Sequence, residues 1–95
     1  MIRSFRDKET ENIYNGNFSK KLPSSIQKTA LRKLIMLNGS NSLNDLRIPP
    51  SNHLEKLIGN LDGYYSIRIN EKYRLIFKLD NNGVDVTDVQ IVDYH

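Results

Sequence analysis

Two runs of alternating residues, separated only by Asn70-Glu71-Lys72, constrain this chain more than any other feature of it. Tyr65, Ile67 and Ile69 share one parity of the first run, and Tyr73, Leu75, Phe77 and Leu79 share one parity of the second. A period of two places such residues on one face of a strand, so the pattern predicts a hairpin with one apolar face. The opposite face then carries Tyr64, Ser66 and Arg68, followed by Arg74, Ile76 and Lys78. Arg68 and Arg74 would lie near each other on the side turned away from the core. Neighbouring cations repel unless an anion sits between them, which makes this face a candidate anion site. An ordinary solvated face gives the same pattern, and the alternation alone leaves both readings open.

With 95 residues the chain is expected to form one domain, residues 1–95, whose modest core leaves any active site at or near the surface. Hydrophobic residues make up 38% and charged residues 26%, a globular balance. No apolar run is long enough to span a bilayer, and Met1-Ile2-Arg3-Ser4 lacks the apolar core of a signal peptide. The absence of cysteine removes disulfide and thiolate chemistry. These features lead to the expectation of a cytoplasmic protein with no membrane association. Residues 1–52 hold nine Lys and Arg against four Asp and Glu, whereas residues 53–95 hold five against seven. The basic half favours nucleic acid, ribosomal RNA included, through counterion release.

Ile2-Arg3-Ser4-Phe5 alternates as a first strand. Asp7 fits the N-cap of a short helix that Asn15-Gly16-Asn17 ends. The clearest helix runs from Pro23 to Asn38, with Ile26, Ala30, Leu34 and Leu37 on a stripe that Leu31 and Ile35 widen, and with Gly39 as its C-cap. Lys28, Arg32 and Lys33 are expected on its remaining, solvent-facing side, near Lys20 and Lys21 of the preceding loop. These five cations suit either simple solvation or contact with a phosphate backbone. A short helical piece is expected within Ser40–Asp45, an extended connection over 46–52 and a second strand over 53–58. Asp80-Asn81-Asn82-Gly83 marks another hairpin turn. The last strand, 84–92, changes phase between Val84 and Val86 on one parity and Val89 and Ile91 on the other, which a bulge near Thr87-Asp88 reconciles. The expected fold class is α+β: an N-terminal strand and two helices packed on a mostly antiparallel, twisted sheet of about four to five strands.

Familiar sites are absent: there is no phosphate-binding glycine loop, no Gly-x-Ser-x-Gly elbow and no helical His-Glu-x-x-His pair. Two histidines without cysteine disfavour a structural metal, and no cofactor is expected. Glu55, Asp93 and His95 remain as proton carriers, Tyr94 as an aromatic platform, and Arg68 and Arg74 as charge stabilisers. That set suits RNA cleavage, in which a base takes the ribose 2′-hydroxyl proton, a cation steadies the phosphorane and an acid protonates the departing 5′-oxygen. A tyrosine ring can stack on an unpaired base.

Asn52-His53-Leu54-Glu55-Lys56-Leu57-Ile58-Gly59-Asn60, Gly63-Tyr64-Tyr65-Ser66-Ile67-Arg68-Ile69-Asn70, Tyr73-Arg74-Leu75-Ile76-Phe77 and the closing Val89-Gln90-Ile91-Val92-Asp93-Tyr94-His95 together resemble HigB-type toxins of the RelE/ParE superfamily. The resemblance extends over essentially the whole chain. It implies a ribosome-dependent endoribonuclease that cuts messenger RNA in the decoding site. It also implies a HigA-type helix-turn-helix antitoxin through which, and only indirectly, the toxin meets operator DNA. Carried onto matching positions, Arg74 would stabilise the transition-state phosphate, and Asp93, Tyr94 and His95 would complete the site. Lys20, Lys21, Lys28, Arg32 and Lys33 would face ribosomal RNA, with Lys56 and Arg68 also binding phosphate.

Some members of that superfamily carry a catalytic histidine in the second strand, where this chain has Glu55. Alternation puts His53 and Glu55 on one side of that strand, so either could approach the site; Glu55 is assigned as base, with His95 or Arg74 assisting the leaving group. The acidic second half and the anion site are expected to attract a basic or amphipathic antitoxin segment. Two other functional classes stay in play: a ParE-like toxin that inhibits DNA gyrase by binding, and a degenerate module that only binds its antitoxin.

Overall fold

In a computed structural model of the chain, residues 1–93 are described. Two helices, α1 (Lys8–Tyr14) and α2 (Ser24–Gly39), precede the strands β1 (Glu55–Lys56), β2 (Tyr65–Arg68), β3 (Tyr73–Asp80) and β4 (Asp85–Asp93). The strands form an antiparallel meander in the order β1-β2-β3-β4. The expected α+β class therefore holds.

The outer edge of β4 is closed by the chain's own beginning. Ile2 and Phe5 bridge in parallel to Val86 and Val89, with Arg3 N donating to Val86 O at 2.7 Å and Arg6 N to Val89 O at 2.8 Å. The register slips between the pairs Ile76–Gln90 and Lys78–Thr87, and Asp88 takes up the slip in a left-handed conformation with φ 54°. Its N–H donates to Ser4 Oγ at 2.9 Å, and the Ile91 N–H donates to Thr10 Oγ1 at 2.9 Å. The amides of Val86, Asp88, Val89 and Ile91 on that edge thus take partners from the N-terminal segment or α1. The bulge is what lets Val86, Val89 and Ile91 all point into the core despite their change of phase.

Helix α1 starts as its sequence requires, with Asp7 Oδ1 accepting from Thr10 N at 3.2 Å. Helix α2 begins one residue later than expected, with Pro23 as its N-cap, and includes Gly39, so that Ser40 rather than Gly39 is its C-cap. Ile26, Ala30, Leu34 and Leu37 are buried against Ile67, Leu75 and Phe77 of the sheet.

Two residues of α2 trade places with their expected roles. Ile35 is 59% exposed, whereas Lys33 is only 4% exposed. Lys33 lies three residues after Ala30 and four before Leu37, so it belongs to the buried stripe by spacing. Its ammonium donates to Oδ1 of the buried Asn52. Asn52 in turn donates through Nδ2 to Leu46 O at 3.1 Å.

The segment expected to be extended over 46–52 is instead folded into 3₁₀ turns at Leu43–Arg47 and Pro50–Asn52, and these cover Lys33. The strand expected over 53–58 shortens to two residues. His53 is left-handed, φ 46°, and Gly59–Leu61 forms another 3₁₀ turn.

Candidate active site

Because successive residues of a strand point to opposite faces, the sheet has a second surface that the helices do not cover. Glu55, Ser66, Ile76 and Gln90 stand in one row across β1, β2, β3 and β4. One pleat further, Arg68 pairs directly with Arg74, and Arg74 with Val92. Direct partners in an antiparallel sheet have Cα atoms about 5 Å apart, so the two guanidinium groups begin as close neighbours. Glu55 is a diagonal neighbour of Arg68, roughly 7–8 Å away at the backbone.

This surface is not a plain solvated face. Leu57, Tyr64 and Ile76 are buried there as a small apolar cluster, against which Leu61 and Val92 pack. The Tyr64 ring carries Lys78 Nζ at 5.0 Å and the Arg6 guanidinium at 5.5 Å from its centroid. Ser66 Oγ is buried within the same face, with no hydrogen-bond partner among the described residues. Arg74 is half-buried, with Nη1 enclosed. Arg68 approaches Glu71 at 4.0 Å, but the glutamate is 96% exposed, and so loose a pair at the surface contributes little. The result is an apolar floor fringed by Arg6, Arg68, Arg74 and Lys78, with Glu55 at its edge and Asp88 3.9 Å from Lys78 Nζ.

The remaining sequence-predicted residues divide. Asp93 pairs with Tyr73, on the opposite parity from Arg74, and its carboxylate lies 3.8 Å from Lys72 Nζ. Tyr94 and His95 lie outside the described residues. Lys56 pairs with Tyr65 on the other face and lines an edge hollow with Leu43, Arg47 and Leu54, so it does not join Arg68 and Arg74.

Lys20, Lys21 and Lys28 are exposed in the helical layer, on the far side of the sheet from Arg74. Lys28 rims an apolar groove formed by Ile13, Phe18 and Leu31. Lys33, expected to face solvent, is instead buried. Loss of water pushes its pKa below the usual lysine range, and the neighbouring Arg32 charge adds to that effect. His53 and Glu55 do not share a strand face, because the chain turns at His53 before β1 begins. The two residues line different hollows.

Lys78 and Tyr64 were legible from the alternation as members of this face but carried no signal of a role. Arg6 reaches it only through the pairing of the N-terminal segment with β4. Among the described residues no cluster of His, Asp and Glu is placed to hold a metal ion. No helix among the described residues is long and apolar enough to cross a membrane.

An α+β meander with two helices on one face and a cation-fringed second face is the architecture of RelE-like toxins, and comparison with known proteins agrees. Residues 3–95 match the family described as the RelE-like toxin of type II toxin–antitoxin system HigB. Toxin HigB-1 of Vibrio cholerae is 47% identical over 79 residues, covering 82% of this chain and 83% of that protein. An uncharacterised protein of Haemophilus influenzae is 46% identical over 82 residues, covering 85% and 81%. Among solved structures, a chain of the heterotetrameric YoeB-YefM toxin–antitoxin complex of Staphylococcus aureus aligns with a TM-score of 0.56 at 26% identity, over 100% of this chain and 98% of that one. The chain belongs to the HigB family of RelE-like toxins of type II toxin–antitoxin systems.

Proposed function

We propose that this toxin is a ribosome-dependent endoribonuclease that cuts messenger RNA in the decoding site and so arrests translation. The observation that carries this reading is the direct pairing of Arg68 with Arg74 on a face that also holds Glu55. Two arginines at directly paired backbone positions bring positive charge to where a phosphate becomes five-coordinate, a place where preorganised donors are most effective. Glu55 takes the 2′-hydroxyl proton, the 2′-oxygen attacks phosphorus, and the bond to the 5′-oxygen breaks. The products are a 2′,3′-cyclic phosphate and a 5′-hydroxyl. The proton that the leaving oxygen needs is assigned to His95, on the family resemblance. Tyr94 is assigned to stacking on the same ground, and Asp93, beside Lys72, to fixing the end of β4. Lys20, Lys21 and Lys28 are solvent-exposed cations suited to ribosomal RNA.

The partner is an antitoxin of the HigA helix-turn-helix type, and a cytoplasmic location follows from the ribosomal target. The test is cleavage of a defined message by purified protein with and without translating ribosomes. Ribosome-dependent cuts that Arg74→Ala abolishes are expected. Intact RNA in the wild-type reactions, with growth still arrested in cells, would overturn the proposal.

A further inference from the structure

Arg68 has a second environment besides its cross-strand neighbour. Together with Arg32 and Lys33 of α2, His53, and Asn70 and Glu71 of the β2–β3 turn, it lines a hollow of about 330 Å³ at the end of the sheet. Three cations and one carboxylate meet there. The carboxylate is the weakest tie, since Glu71 is almost fully exposed and 4.0 Å from Arg68. Lys33, in contrast, is fixed, its ammonium held by buried Asn52 and its side chain covered. Arg32 beside it is exposed and lines the open hollow. Among the described residues three cations outnumber the one carboxylate, and such an excess of positive charge attracts an anion from outside. Ser51, His53 and Asn70 supply further polar groups around it.

We propose that this hollow is a second phosphate subsite, in which Arg32, Arg68 and His53 hold the phosphodiester adjacent to the one cut beside Arg74. The inference rests on the nuclease reading above. Arg68 is the link, because its backbone is paired with Arg74 while its side chain lines the hollow. A polymer with one phosphate at each place satisfies both cation groups at once, which an isolated anion does not. Single-stranded RNA is such a polymer, and the hollow's polar lining suits its backbone better than an apolar peptide anchor. Arg32 thereby leaves the group of helical cations and becomes a substrate-positioning residue. Glu71 becomes a competitor that the incoming phosphate displaces.

Two experiments decide it. The first is single-turnover cleavage on ribosomes, using messages in which one phosphate at a time on either side of the cut is replaced by a neutral methylphosphonate. Arg32→Ala should raise the half-saturating toxin concentration by about tenfold, the order expected for a charge-assisted hydrogen bond, while the rate at saturation changes by less than about twofold. One neutralised flanking phosphate should reproduce that loss, and Arg32→Ala should add nothing on that message. Glu71→Gln should tighten binding about twofold. An Arg32→Ala defect that is equal on every message would assign the residue to ribosomal RNA and overturn the subsite, as would no defect at all.

The second experiment is binding of a short 2′-O-methyl RNA, which cannot be cut, to the free toxin. If the wild type binds it and Arg32→Ala weakens binding only when the critical phosphate is charged, the subsite stands even should cleavage be absent and the nuclease reading fall. If cleavage persists but neither experiment responds to Arg32, the nuclease reading stands and the subsite falls. Release of the RNA by a carboxylate-rich peptide, with no response to phosphate neutralisation, would give the hollow to a protein partner and count against it.

Discussion

The two faces of the sheet are built from the same strands and do different work. On the helix side, Ile67, Leu75 and Phe77 pack in one buried cluster with Ile26, Ala30, Leu34 and Leu37. On the other side, burial is confined to Leu57, Tyr64 and Ile76, and the surrounding positions are cations that a stable core would not choose. Like charges held side by side cost folding energy, whereas apolar contacts supply it. One parity of β2 and β3 therefore carries stability, and the other carries binding.

Substitutions that differ by one residue along a strand should separate the two roles. Phe77→Ala should have the largest effect on folding, a loss of about 3–5 kcal/mol measured by urea denaturation, because it empties the centre of the helix-side core. Arg74→Ala should leave that denaturation curve nearly unchanged yet reduce cleavage by roughly 100- to 1000-fold, the usual consequence of losing a preorganised charge stabiliser. If Arg74→Ala unfolds the protein instead, the division by parity is wrong.

Asn52→Ala tests the boundary between the faces. It strands the Lys33 ammonium without its acceptor and should cost about 2 kcal/mol. The Lys33 pKa is lowered in the folded state, so the unfolded chain binds more protons between that lowered value and 10.5. Stability should consequently rise with pH through that window, and Lys33→Met should flatten the rise in pH-dependent melting.

Ser66→Ala should have the smallest effect, from no change to a gain of about 1 kcal/mol, since its hydroxyl is buried without a partner among the described residues. A clear loss of stability would show that the hydroxyl is satisfied in solution.

Much of this molecule was readable from spacing. Asp7 capping α1, the Arg68–Arg74 neighbourhood and the bulge near Asp88 all follow from local chemistry, because a cap, a pleat and a phase change each involve residues close in sequence or directly paired. Lys33 was not, although its place three residues after Ala30 lies in the apolar stripe. Its charge argued for solvent, and only the turns over 43–52, which bring Asn52 onto it, show how a buried ammonium is tolerated. The assignment of His53 to the strand failed for a related reason. Strand alternation assumes extended backbone, and the left-handed turn at His53 breaks it before Glu55. Spacing equally could not tell that Lys56 and Asp93 face away from the Arg68–Arg74 pair, since their parity is set by which partner residue they meet.

The sequence by itself determined the two helices and the β2–β3–β4 succession, the apolar parity of β2 and β3, and the family. Those depend on periodicity and on motifs contiguous along the chain. Only the tertiary structure decided that Arg6 and Lys78 share the Tyr64 ring, that Lys33 is buried, and that Arg32 meets Arg68 and His53 in one hollow. Those arrangements join residues from segments far apart in the chain, and nothing in local spacing encodes how a loop folds over a helix.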